Sequence, residues 1–264
     1  MASIKLKGDT SGELTITVPA VAGTNTLTLP ASTGSIIVNT TGGDETNTGF
    51  GNDALDAITT GSNNSAFGAD ALGANTEGAS NVAVGEAAMD ANTTGGSNVA
   101  VGRDALGANT SGSFNQAFGR NALLTNTTGQ YNNAFGNDAL KVNTASSNSA
   151  FGHAALVANT TGSLNTAVGA NALATNVSGG DNVAVGNNAL TVSTGSRNTA
   201  LGYNAMTDTT SGEENTAVGF SSLGNNTTGA SNTAVGRSAL AANTTGTNNV
   251  AIGKSAALAA TTST

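Results

Sequence analysis

From about residue 47 the chain repeats one short phrase, Asn-x-Ala-(Val/Phe)-Gly, in which apolar positions alternate with small or polar ones. Its closing glycine falls at Gly51, Gly68, Gly85, Gly102, Gly119, Gly136, Gly152, Gly169, Gly186, Gly202, Gly219, Gly236 and Gly253, so that ten of the twelve spacings are 17 residues and two are 16. The full period is Asn-Thr-Ala-Val-Gly-x-x-Ala-Leu-x-x-Asn-Thr-Thr-Gly-x-x, nearly complete from Asn232 to Thr247. A short period sustained in this way marks a solenoid, in which each repeat is one coil that buries its apolar side only against its neighbours. Both shorter copies lose their residue near Thr144-Ala145 and Ser193-Thr194-Gly195, in the Thr-Thr-Gly region, where a loop tolerates deletion.

Within one copy the pattern predicts two short elements and two turns. Asn98-Val99-Ala100-Val101 is of strand length and is ended by Gly102. Ala105-Leu106 opens a second element, and Asn109-Thr110-Ser111-Gly112 supplies turn chemistry. Coils joined by a strand ladder rise about 4.8 Å each, whereas packed helices need about 8–10 Å between axes. The second element is therefore expected to be a strand or a tight 3₁₀-like bend. The expected fold is all-β: a parallel β-solenoid, or β-roll, of about thirteen 17-residue coils over residues 47–258. At that rise the rod is roughly 60 Å long. Residues 1–46 form a separate β-rich segment and residues 259–264 a C-terminal tail.

Strand alternation puts Val99 and Val101 on one side and Ala100 on the other. The bulkier column, from Phe50, Phe67, Val84 and Val101 to Ile252, is expected to fill the coil together with Leu55, Leu72, Met89, Leu106 and their equivalents. That phase leaves an alanine column outside: Ala66, Ala83, Ala100, Ala117, Ala134, Ala150, Ala167, Ala184, Ala200, Ala217, Ala234 and Ala251. A continuous stripe of methyl groups marks an interface, small residues let backbones approach closely, and cyclic symmetry closes such an assembly. These alanines are expected to form the contact in a homotrimer. The leading asparagine, unbroken from Asn47 to Asn249, is expected to form a hydrogen-bonded ladder along the rod.

Composition agrees with a thin, repeated core. The chain has 36 glycines, 3% aromatic and 9% charged residues, no Trp and no Cys, too little bulk to fill one globular core of this length. At 38% apolar it also differs from disordered chains. The net charge of −8 is spread out and the eight basic residues form no run, which excludes a nucleic-acid footprint; no stretch has the apolar length of a signal peptide or membrane helix.

The first 46 residues read as alternating strands at Ile4–Lys7, Leu14–Val18, Thr26–Leu29 and Ile36–Val38, with Pro19 and Pro30 at the ends of runs. The segment could cap the first coil, register a trimer or attach the rod elsewhere.

Asn165-Thr166-Ala167-Val168-Gly169 through Leu173, and Asn232-Thr233-Ala234-Val235-Gly236 through Gly246, resemble repeats of bacteriophage tail fibres. They are also similar to the head repeats of trimeric autotransporter adhesins, whose Asn-Ser-Val-Ala-Ile-Gly core is matched closely by Asn249-Val250-Ala251-Ile252-Gly253. Gly8–Pro19 and Ala22–Pro30 are similar to segments of phage tail-fibre proteins. The resemblance implies a structural tail-fibre protein, assembled in the host cytoplasm and then extracellular on the virion. It would act as a rigid trimeric spacer and adhesin, joined to other tail proteins through residues 1–46 and touching a host receptor or glycan. A bacterial or secreted trimeric adhesin is the alternative; the stalk and anchor of the autotransporters have no counterpart in the chain.

No catalytic, cofactor or metal site is expected. The single histidine, His153, follows Gly152 in a turn and has no convergent partners in the sequence. Asp53, Asp70, Asp104 and Asp138 share one repeat position in some copies and read as a solvated face. Asn-Thr-Thr at Asn92, Asn126, Asn159, Asn226 and Asn243 satisfies the glycosylation pattern but recurs as a turn. Its threonines invite comparison with ice-binding solenoids, yet adjacent side chains in an extended segment point to opposite sides. Phe114, Tyr131, Tyr203, Glu213-Glu214 and Phe220 decorate turns and are candidates for ligand contact.

Overall fold

The computed structural model describes residues 3–7, 13–17, 36–39 and 47–258, and the chain divides into two compact units, Met1–Thr33 and Gly34–Thr264. In the first, β1 (Ser3–Lys7) and β2 (Glu13–Thr17) pair antiparallel, close to two of the expected strands. The strand expected at Thr26–Leu29 and the 259–264 tail lie outside the described residues.

The second unit is the solenoid. β4 (Asn47–Phe50) begins a run of parallel strands that adds one per repeat and ends at β16 (Val250–Ile252), all in one sheet. Register follows the sequence period, as in Val82↔Val99, Ala83↔Ala100 and Val84↔Val101. Only β3 (Ile36–Asn39) runs antiparallel in this sheet, and it covers the edge of β4. Among the described residues there is no helix.

Ala105-Leu106 and its equivalents form neither a strand nor a continuous 3₁₀ helix. Their hydrogen bonds alternate: the Ala105 N–H donates back to Gly102 within the coil (3.2 Å), and the Leu106 N–H donates forward to Ala122 in the next coil (2.9 Å). Asp104 and Leu106 hold left-handed φ of 56° and 52°, so the chain zigzags through the corner while keeping a forward bond in each coil. In the Thr corner the N–H groups of Thr93, Thr94 and Gly95 converge on the Thr110 carbonyl at 2.9, 3.1 and 3.3 Å. In each 16-residue coil a single bond, Thr144 N–H to the Thr160 carbonyl (3.1 Å) or Thr194 N–H to the Thr210 carbonyl (2.7 Å), does this work, so the corner loses a residue without opening the ladder.

The phase of the strand alternation is the reverse of that expected. All twelve alanines from Ala66 to Ala251 are buried, facing Ala105-Leu106 and its equivalents, while Phe50, Phe67, Val84, Phe151, Val168 and Leu201 are exposed. The cause is room. In the first coil the same position is Gly49, and a Cβ there would meet the Ala54 carbonyl at 3.4 Å and Leu55 Cδ1 at 3.5 Å. The interior accepts a methyl group and nothing larger, so alanine faces in and the bulkier column faces out. The twelve alanines therefore cannot be the surface on which rods meet.

Two asparagine ladders flank this core. The Asn98 N–H donates to Asn81 Oδ1 (2.9 Å), the Asn98 amide donates to the Gly112 carbonyl (2.8 Å), and Asn98 Oδ1 accepts from the Asn115 N–H (2.9 Å). The second ladder passes through Asn75, Asn92 and Asn109: the Asn92 amide donates to Asn75 Oδ1 and the Asn109 amide to Asn92 Oδ1, both at 2.8 Å. The expected ladder at the first position is thus present, but in the interior, with backbone groups as its main partners.

Two consequences are measurable in denaturant midpoints. Gly49→Ala fills a methyl-sized space and should raise stability by about 0.5–1 kcal/mol, whereas Ala100→Val overpacks the same column and should lower it by about 1–3 kcal/mol. Asn98→Ala orphans the Asn115 N–H and leaves the Gly112 carbonyl with only the Asn109 amide as donor, and should cost about 1–3 kcal/mol. Asn98→Asp buries a carboxyl whose charged form cannot donate to Gly112, which raises its folded-state pKa. That variant should be most stable below the unfolded value of about 3.9 and lose stability as pH rises through the folded one.

Candidate functional site

With alanine inside, two columns of each strand face out. One runs from Thr48 through Val99 and Gln116 to Val250, the other from Phe50 through Val101 and Phe118 to Ile252. The first contains only Ser, Thr, Val, Asn and Gln; the second contains only Phe, Val, Leu and Ile. Neither holds a charge in any coil, although charges occur throughout the corners. Within the second column Phe50 stacks on Phe67 (5.1 Å between centroids), and Phe118, Phe135 and Phe151 form a continuous stack at 4.7 and 5.0 Å. The one-coil rise brings identical columns to van der Waals distance, so stacking follows from register.

Further aromatics sit beside this face. Phe114 and Tyr131, 50% and 55% exposed, stack with rings nearly parallel, and Tyr203 stacks on Phe220 with the Arg237 guanidinium 5.6 Å from the Phe220 ring. Arg197 bridges Glu213 at 2.7 Å and Glu214 at 3.0 Å across one coil. All the variable residues singled out from the sequence thus lie at the surface, but in three separate groups. Exposed ion pairs of this kind contribute little to stability.

The acidic column has a conformational origin. Asp53, Asp70, Asp104 and Asp138 all have φ of 54–57°, and the same position in other coils holds Asn121, Asn171, Asn188 and Asn204 in the same conformation. Left-handed φ favours Asp and Asn because their short polar side chains tolerate it. Asn121 donates to Asp138 (2.8 Å) and Lys141 lies 3.3 Å away, which together hold the Asp138 carboxyl below the usual range. Asp90, three positions further along its coil, is raised by burial and by Asp70. Among the described residues no group of three or more His, Cys, Asp or Glu could hold a metal ion.

His153 is exposed in its turn. The glycosylation-pattern asparagines are all buried, and their amides are engaged, as in Asn92 with Asn75 and Gly95. Thr110 Oγ1 donates to the Thr127 carbonyl at 3.1 Å, so the corner hydroxyls serve the ladder. A shallow depression of 230 Å³ lined by Asn204, Asp208, Ser221 and Asn225 lies on the corner side of three coils. The arrangement as a whole offers an uncharged, apolar strip and no convergent reactive groups among the described residues. The sequence located the residues of this strip but assigned them to the interior. The signal for the reverse assignment is constancy of size: the alanine position is Ala in every coil but the first, while its neighbour varies among Val, Leu, Ile and Phe.

No protein-family model, curated protein or solved structure matches the chain.

The acidic column yields a further test. Asp104→Asn should change stability by less than about 0.5 kcal/mol because Asn already serves at this position. Asp104→Val should cost about 1–2 kcal/mol, since a β-branched residue resists left-handed φ. Thermal unfolding of the two variants separates them.

Proposed function

We propose that the chain is a structural fibre subunit whose rods associate side by side, three copies about one axis, along the outward strand face. The observation that carries this reading is the uncharged strip from Thr48 to Ile252, apolar at every coil in its second column. Interface centres are depleted in charge and enriched in aromatic residues, and a strip so continuous matches an identical strip better than any surface of another period. Twelve rises span about 58 Å; with a width of roughly 10 Å, the strip would bury about 600 Å² per rod, or about 1,800 Å² over the three copies. That reaches the size of a specific interface.

The number three, and the setting on a phage tail where the rod acts as spacer and adhesin, rest on the resemblance of the repeats to tail fibres and trimeric adhesins. Because the alanines are buried, we place the proposed contact on the neighbouring outward column. The aromatic pairs Phe114-Tyr131 and Tyr203-Phe220 stand outside that strip and are the proposed points of contact with a host surface.

Light scattering on the full chain should give three times the 25.4 kDa chain mass. Val101→Asp combined with Val168→Asp, placed on the strip, should release monomers whose circular dichroism is unchanged. A monomeric unaltered chain would overturn the reading.

A further inference from the structure

A repeat that stacks on itself every coil creates a difficulty for assembly. Two identical rods can slide past one another by one coil and recover nearly every contact, because the backbone presents the same surface every 17 residues. In a closed ring the copies must stay level; a slip adds a translation along the rod at every contact, so the ring cannot close and the contact propagates into open filaments. The asparagine ladders and the alanine column cannot discriminate, since they are buried inside each rod.

The outward column does not repeat. Phenylalanine occupies it in the first and second coils (Phe50, Phe67) and in the fifth, sixth and seventh (Phe118, Phe135, Phe151); the remaining coils carry Val, Leu or Ile. With copies level, each phenylalanine meets phenylalanine around the axis. A slip of one coil sets Phe67 against Val84, Phe118 against Val101 and Phe151 against Val168. A slip of two leaves one phenylalanine pair, Phe118 with Phe151, because the pair and the triplet are unequal blocks with unequal gaps. Each mismatch leaves a ring's width of space in one row and crowds the next, and stacked rings cannot turn aside singly.

We infer that the unequal phenylalanine blocks of the outward column are a register code that holds identical rods level and excludes slipped partners. The inference rests on the association proposed above and assigns these five residues a discriminating role: the energy of the strip is spread over every coil, and its specificity lies in where the large side chains fall.

The test uses full-length chains co-expressed in pairs, one tagged. In the variant Phe50→Val, Phe67→Val, Val84→Phe, Val101→Phe the first block moves two coils along with composition unchanged. Expressed alone, it should form the same oligomer as the unaltered chain by light scattering, since its copies match one another. Co-expressed with the tagged unaltered chain, it should co-purify about tenfold less than an untagged unaltered chain does. Equal co-purification, with both chains assembling alone, would overturn the register code and leave the fibre reading intact. A monomeric unaltered chain would instead remove the fibre reading itself. Should the block-shifted variant not fold, the all-valine variant of the five phenylalanines gives the second readout: masses spreading above the unaltered value support the code, and one unchanged mass overturns it.

Discussion

Everything in the solenoid depends on one spacing: each residue sits a strand separation from its own copy in the next coil, and the ladder of backbone hydrogen bonds fixes that distance. Seventeen residues must then close a loop in a plane barely thicker than the backbone. This permits a methyl and a leucine to meet across the interior and leaves no room for a second bulky layer. It also requires glycine at the strand ends: Gly102 has φ of 133°, and a Cβ there would lie 2.6 Å from the Gly119 carbonyl. Side chains such as Asn98, which would be awkward in an ordinary core, are favoured here because every donor finds an acceptor one coil away.

The period, the strand positions and the all-β class were legible because they depend only on spacing. Strands appear at Val99–Val101 and in the same place in each later copy, and three of the four strands read in the first 46 residues have described counterparts within one residue at each end. The phase of the alternation was not legible from hydrophobicity. The rule that the larger apolar residue goes inside presumes a core deep enough to hold it, and Gly49 and Ala100 occupy a space sized for one carbon. A fixed cross-section demands a fixed side-chain volume, so the invariant column is interior and the variable one exterior.

The same reasoning separates chemistry from conformation in the corners. Aspartate recurring at one position looks like a ligand row, yet Asp104 and Asn121 share a left-handed backbone that selects for both. Leu106 has no such excuse: it adopts φ of 52° against its own preference because the buried position requires a large apolar side chain. Propensity yields to burial at Leu106 and governs at Asp104, where the side chain is at the surface and burial makes no demand.

The inner ladder is not uniform. In the second asparagine row, Asn143 turns its amide to Ala145 inside the shortened coil, and Asn126 Oδ1 is left without a donor; Ser193 and Thr209 interrupt the same row near the other shortened coil. Because the ladder bonds lie along the rod, a pull on its ends loads all the bonds of one junction together but the junctions one after another. The rod's strength in tension is therefore set by its poorest junction. The two shortened coils place such junctions in the interior of the stack, so that under load the rod would part at a defined height and leave well-formed coils on either side.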